Sequence, residues 1–227
     1  MKCSLSVSLV TLALASNFAP QAAAQSPTLQ QGVSVQMAVT SDASPMADAD
    51  NQDAWIVVVT ADGGVYFGID RVTPSDLANR IKSRPRKGDQ KLYIKADARA
   101  PFSAVRKVFA AAHEADFQTA VLLTSQPGSP TTGTMVPEGL EVLIGPHSNA
   151  AIVVQVDPGQ PSPALEVNDQ KIPAAALQDT LKRLLQSHSD TPVLVKTSGL
   201  VAFGPIAHVI DTCHSIGAKV MLSTPLL

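Results

Sequence analysis

Residues 91–124 read KLYIKADARAPFSAVRKVFAAAHEADFQTAVLLT, and their pattern decides the fold. Residues 91–95 read as a strand ending in Lys95, and residues 97–100 as a turn. Pro101 stands at a helix start. Phe102, Val105, Val108, Phe109 and Ala112 recur at helical spacing and make one apolar face, while Arg106, Lys107, His113 and Glu114 face away. Residues 119–123 close the unit as a strand. About a hundred residues later, residues 192–224 (PVLVKTSGLVAFGPIAHVIDTCHSIGAKVMLST) repeat the plan. Lys196 answers Lys95, Phe203 answers Phe102 and His214 answers His113. An echo at fixed offset is the mark of a repeated unit.

Working outward, residues 55–59 (WIVVV) form an almost unbroken β-branched run, the pattern of a strand buried on both faces. Ala61-Asp62-Gly63-Gly64 predicts a hairpin turn, and Val65-Tyr66-Phe67 the returning strand. Thr73 can cap a helix, with Pro74 at its first position and Asp76 at the capping-box site. Pro85 ends that helix near Ser83. In the second copy, residues 151–156 restart the pattern and Asn168-Asp169 is a turn. A helix over residues 173–187 buries Ala176, Leu177, Thr180, Leu181 and Leu184. The second long helix buries Phe203, Ile206, Val209, Ile210 and Cys213.

These elements divide the chain into a leader over residues 1–24, an acidic and polar segment over 25–52, and a first domain over 53–125. A Pro/Gly/Ser/Thr-rich linker over 126–138 and a second domain over 139–227 follow. Residues 32–37 (GVSVQM) alternate and predict an edge strand, echoed by residues 139–142. Asp48, Asp50 and Asp53 lack the glycine and trailing glutamate of a calcium loop and read as a solvated acidic linker. The fold class expected is α+β: two tandem two-layer α/β domains, each a small mixed sheet with two helices on one face.

Residues 1–24 combine Lys2, an apolar run and an Ala22-Ala23-Ala24 stretch, the layout of a cleavable signal peptide. A retained membrane anchor is the alternative. The first acidic residue is Asp42, so the leader carries no carboxylate in either case. Of two cysteines, Cys3 lies in the leader, which leaves Cys213 alone in the exported chain and no internal disulfide. The net charge of −2 and 4% aromatic content argue against a nucleic-acid surface.

Candidates for chemistry are few. Cys213 and His214 are neighbours on a helix and point about 100° apart, so they make no nucleophile–base pair. His208, Asp211 and His214 read as exposed polar residues on the outer side of that helix, too few for a metal site. No phosphate loop, G-x-S-x-G or H-E-x-x-H is present. No cofactor, metal or catalytic residue is assigned, and the chain reads as non-enzymatic. One patch stands out for an anionic partner: Arg80, Lys82, Arg84, Arg86, Lys87 and Lys91. A solvated helix end is the competing reading.

The order V-V-V-T-A-D-G-G-V-Y-F (57–67), T-P-x-x-L (73–77), L-Y-I-K-A-D (92–97), Phe102-Ser103-Ala104-Val105 and V-L-L-T (121–124) resembles the periplasmic domain of the ExbD/TolR biopolymer-transport family. The second copy resembles it more loosely, through V-L-V-K (193–196), F-G-x-I (203–206) and the Gly217 loop. The resemblance implies a small α/β domain, often dimeric. It also implies a proton-channel subunit or an energy-transducing envelope protein of the ExbB/TolQ–TonB/TolA type as partner. Peptidoglycan is a further candidate. Family members carry an Asp in an N-terminal membrane helix, which this leader lacks. The expectation is therefore a periplasmic accessory of an envelope transport system that does not itself carry protons. Its two copies would form internally the dimer that the family makes from two chains, with a homodimer of the whole chain as the alternative. A stand-alone periplasmic binding module is the alternative, and an inner-membrane anchored form the alternative location.

Overall fold

A computed structural model describes residues 32–86, 88–127, 136–145, 152–160, 162–187, 191–197 and 200–224. The leader, Lys87, and residues 128–135 of the linker lie outside the described residues. The strands are β1 (Ser44–Pro45), β2 (Trp55–Val59), β3 (Val65–Phe67), β4 (Asp70–Val72), β5 (Leu92–Ala96) and β6 (Thr119–Thr124). They continue with β7 (Glu138–Gly145), β8 (Ile152–Asp157), β9 (Ala164–Val167), β10 (Gln170–Ile172), β11 (Val193–Thr197) and β12 (Val220–Ser223). The helices are α1 (Pro74–Ser83), α2 (Phe102–Glu114), α3 (Leu177–Leu185) and α4 (Phe203–His214). Strand–hairpin–helix–strand–helix–strand therefore occurs twice in the same order.

Local chemistry accounts for the termini. The Thr73 hydroxyl accepts the Asp76 N–H at 3.2 Å and donates to its carboxylate at 2.7 Å, so α1 starts where the capping pattern places it. Asn168 and Asp169 both take positive φ (48° and 65°), the two-residue turn that matches strand twist between β9 and β10. In the first hairpin only Gly63 does so (φ 81°), and Thr60 N–H closes a wider loop onto the Gly64 carbonyl at 2.9 Å. Residues 174–176 are a 3-10 turn, so α3 starts later than the apolar spacing predicts.

The two sheets expected are one. Its order is β10-β9-β8-β11-β12-β7-β6-β5-β2-β3-β4, with β1 beside β7. β2, β5 and β6 run parallel, as do β8, β11, β12 and β7. The halves join antiparallel at β6–β7, from Thr119 opposite Leu143 to Thr124 opposite Glu138. No side chain fits at Gly139 in this joint. A Cβ there would lie 2.5 Å from the Val121 Cγ1 and 3.0 Å from the Leu122 carbonyl oxygen.

One apolar core, including Phe102, Phe109, Phe203 and Ile206, runs under both halves. Burial of each such side chain contributes about 1.5–3 kcal/mol. Trp55 meets Phe67 edge-on, with ring centres 6.4 Å apart, and Phe117 at 5.9 Å. A second cluster holds Tyr93, Val121 and Leu123, packed against Met37, Met46, Ala49 and Ala54. The N-terminal segment, read from sequence as an edge strand and a solvated linker, is in part a cover on the sheet. Its strand pairing is confined to isolated bridges at Met37 and Val39 and the short β1; residues 32–36 form none. The neighbouring edge of β6, where such a strand would add, is already taken by β7.

Candidate functional site

The helix starts of α2 and α4 meet. Pro101 and Ala202, equivalent positions in the two copies, form an antiparallel bridge. Phe102 N–H donates to the Val201 carbonyl at 2.9 Å, and Phe203 N–H donates to the Ala100 carbonyl at 2.9 Å. Each half gives the other what it receives, which is the signature of a two-fold contact. Gly204 N–H adds a bond to the Ala98 carbonyl at 2.8 Å.

Residues 36–42 cross this seam as an extended strap. Ala98 N–H donates to the Gln36 carbonyl at 2.8 Å, and Ser125 N–H to the Ala38 carbonyl at 2.9 Å. Thr40 N–H returns a bond to the Ser125 carbonyl at 2.8 Å, and the Thr40 hydroxyl donates to that of Thr124 at 2.7 Å. Two buried carboxylates hold the strap from opposite halves. Asp97, after β5, accepts the Gln36 N–H at 3.0 Å. Asp211, on α4, accepts the Ser41 N–H at 3.0 Å and the Asp42 N–H at 2.9 Å.

Asp97 is 2% exposed, and Arg99 compensates its charge. The guanidinium of Arg99 donates from Nε to Oδ1 at 2.8 Å and from Nη2 to Oδ2 at 2.9 Å, the bidentate geometry. The Arg99 side-chain bonds, with backbone N–H groups of Arg99 and Gln36, hold the Asp97 carboxyl well below the usual range. The matching strand-end lysines, Lys95 and Lys196, play no part in this pair, whose partners are Arg99 and Gln36. Asp211 is also buried, which corrects its reading as an exposed polar residue. Its equivalent in the first copy is Ala110, and the equivalent of Arg99 is Leu200, 83% exposed. The clasp is thus asymmetric on a symmetric seam.

The remaining candidates separate. Cys213 is fully enclosed, and burial pushes its thiol up to about 12. The Nε2 of His214 lies 2.9 Å from the Glu141 carbonyl, whereas the equivalent His113 has its Nδ1 enclosed without a partner among the described residues. Among the described residues no three His, Cys, Asp or Glu side chains converge as a metal set. No helix among them is long and apolar enough to cross a membrane.

The basic patch is dispersed into separate contacts. Arg80 pairs with Asp70 at 3.0 Å, Lys82 with Glu114 at 3.1 Å and Lys91 with Glu141 at 3.7 Å. Such exposed pairs are worth about 0–1 kcal/mol each. Arg84 lies over the Phe67 ring (4.2 Å to its centre) and Arg86 over the Phe117 ring (3.8 Å). Arg86 also donates to the Asp116 carbonyl at 3.2 Å. Lys87 is outside the described residues.

The strap clasp was not visible in the sequence. Asp211 broke the outward-facing pattern of its helix only in being paired with Ala110 of the first copy, and nothing local marks its partner.

No curated protein and no solved structure matches the chain. The family model described as biopolymer transport protein ExbD/TolR matches residues 5–127, more than half of the chain, and takes in the strap, β2 to β6, α1 and α2. Its members are components of envelope-associated biopolymer transport systems that work with ExbB/TolQ and TonB/TolA partners. The chain belongs to the ExbD/TolR biopolymer transport family.

Proposed function

We propose that the chain is a non-enzymatic periplasmic accessory of an envelope transport system, with two ExbD/TolR-like domains on one polypeptide forming an internal counterpart of a dimer. The observation that carries this reading is the reciprocal bridge between Pro101 and Ala202, in which equivalent residues exchange equivalent bonds. Proton transport belongs to the partner. The leader has no acidic residue before Asp42, so it offers no carboxylate to titrate within a membrane.

Cross-linking in native membranes followed by co-purification tests the role. Recovery of a proton-channel subunit or an energy-transducing envelope protein of the ExbB/TolQ–TonB/TolA type is expected. Recovery of the chain without any envelope protein would overturn it. Sequencing the mature N-terminus tests the location: Gln25 at the start supports export with cleavage, and an intact Met1 in the membrane fraction supports the anchored form.

A further inference from the structure

We infer that Arg84 and Arg86 form a binding site for a short acidic segment of a partner protein. This rests on the partner reading above and gives that partner a chemistry. Three neighbouring cations, Arg80, Lys82 and Lys91, are each matched by a carboxylate. Among the described residues Arg84 and Arg86 have none. Each instead sits over an aromatic ring, and the two rings flank the same Trp55. A guanidinium held over a ring face still donates in its own plane; Arg86 spends one N–H on the Asp116 carbonyl at 3.2 Å, and the remaining N–H groups of the two arginines can match a carboxylate.

The backbone fixes the spacing. Pro85 separates the two arginines and disfavours helix at Arg84, which is extended (φ −87°, ψ 138°) where α1 stops. Stacking and the proline both reduce the freedom lost on binding, so the site is organised before a ligand arrives. The surrounding charge selects the ligand. Asp70, Glu114 and Glu141 are exposed within the same patch and would repel an extended anionic surface. One or two carboxylates on a peptide fit between them.

The site also lies away from the strap. Arg84 lies over Phe67 and Arg86 over Phe117, and both rings contact Trp55, which opens β2, while Phe117 precedes β6. The strap enters at Asp97 and Ser125, beyond the opposite ends of β5 and β6.

The test is a titration of the full chain with the blocked peptides acetyl-Glu-Glu-Glu-amide and acetyl-Gln-Gln-Gln-amide, reading the arginine Nε–H signals by NMR. Saturable shifts at Arg84 and Arg86 with the Glu peptide alone are expected. The double substitution Arg84→Lys with Arg86→Lys should weaken binding about tenfold although it keeps both charges. Equal shifts at Arg80, Arg106 and Arg183 would mean simple charge screening and would overturn the site. Capture of the chain by phosphatidylglycerol vesicles or by peptidoglycan, with no response to the Glu peptide, would overturn the ligand class. Co-purification plays no part in this experiment, so its failure is separable from failure of the transport role.

Discussion

Asp211 accepts the backbone N–H of Ser41 at 3.0 Å across almost the whole described chain. With the Asp42 bond at 2.9 Å, a carboxylate on α4 of the second half fastens a strap that leads into β2 of the first. Helix-to-strap bonds of this kind tie the two halves by a route independent of the β6–β7 joint.

Asp211→Ala restores the residue that the first copy carries at Ala110 and leaves two N–H groups without their acceptor. Bonds to a charged acceptor are worth about 1.5–3 kcal/mol, so a loss of that order is expected in urea unfolding. Amide exchange at Ser41 and Asp42 should quicken far more than exchange in β5 or β6. Equal quickening everywhere would show that the strap has no independent opening and that the clasp is only part of the global fold.

The order of elements was legible because each signal is local. The β-branched run of residues 55–59 and the stripe from Phe102 to Ala112 specify their own burial, and both are buried except for the half-buried Ile56. The Asn168-Asp169 turn and the Thr73 cap likewise need only neighbouring residues. Asp211 was illegible for the opposite reason: its partners are backbone N–H groups, which carry no side-chain signature. The fusion of two sheets into one was illegible too. It depends on β7 occupying the free edge of β6, and residues 32–37 have an alternation suited to that same edge. The structure gives that edge to β7, with its six-residue antiparallel register from Glu138 to Leu143.

Asp97 predicts an acid dependence. Its folded carboxyl titrates well below the ordinary value of about 3.9, chiefly through the Arg99 side-chain bonds. A group depressed on folding stabilises the fold above the unfolded value and loses that contribution as pH falls through the folded one. Stability should therefore decline below about pH 4. In Asp97→Asn the part of this decline due to Asp97 should vanish, while stability at pH 7 is lower than in the parent chain. Urea unfolding of both proteins across pH 2–7 measures it, and parallel curves would contradict the assignment.

Cys213 predicts chemical silence. Only the thiolate reacts at a useful rate, and burial pushes this thiol to about 12. A thiol reagent at pH 8 should label it no faster than the protein unfolds, with full labelling in denaturant. Cys213→Ala reproduces the first copy, where Ala112 is fully buried at the equivalent site. The cavity left is small, and a cost of roughly 1 kcal/mol is expected. Rapid native labelling would place the side chain at the surface rather than in the core.

Gly139 tests the joint between the halves. In β-sheets a glycine usually weakens the strand, so replacing it by alanine ordinarily helps. Here an added Cβ would fall 2.5 Å from the Val121 Cγ1, 3.0 Å from the Leu122 carbonyl and 3.4 Å from the Met46 Cγ. The Val121 Cγ1 contact forces that side chain to shift, and the Leu122 carbonyl, part of the paired backbone of β6, must give by a few tenths of an ångström. Overpacking of this kind costs about 1–3 kcal/mol, which exceeds the propensity gain of about 0.5–1 kcal/mol. Gly139→Ala should therefore destabilise the protein and increase amide exchange along Leu122 and Leu123 ahead of β2. An unchanged or raised melting temperature would mean that β6 and β7 lie farther apart than this close contact requires.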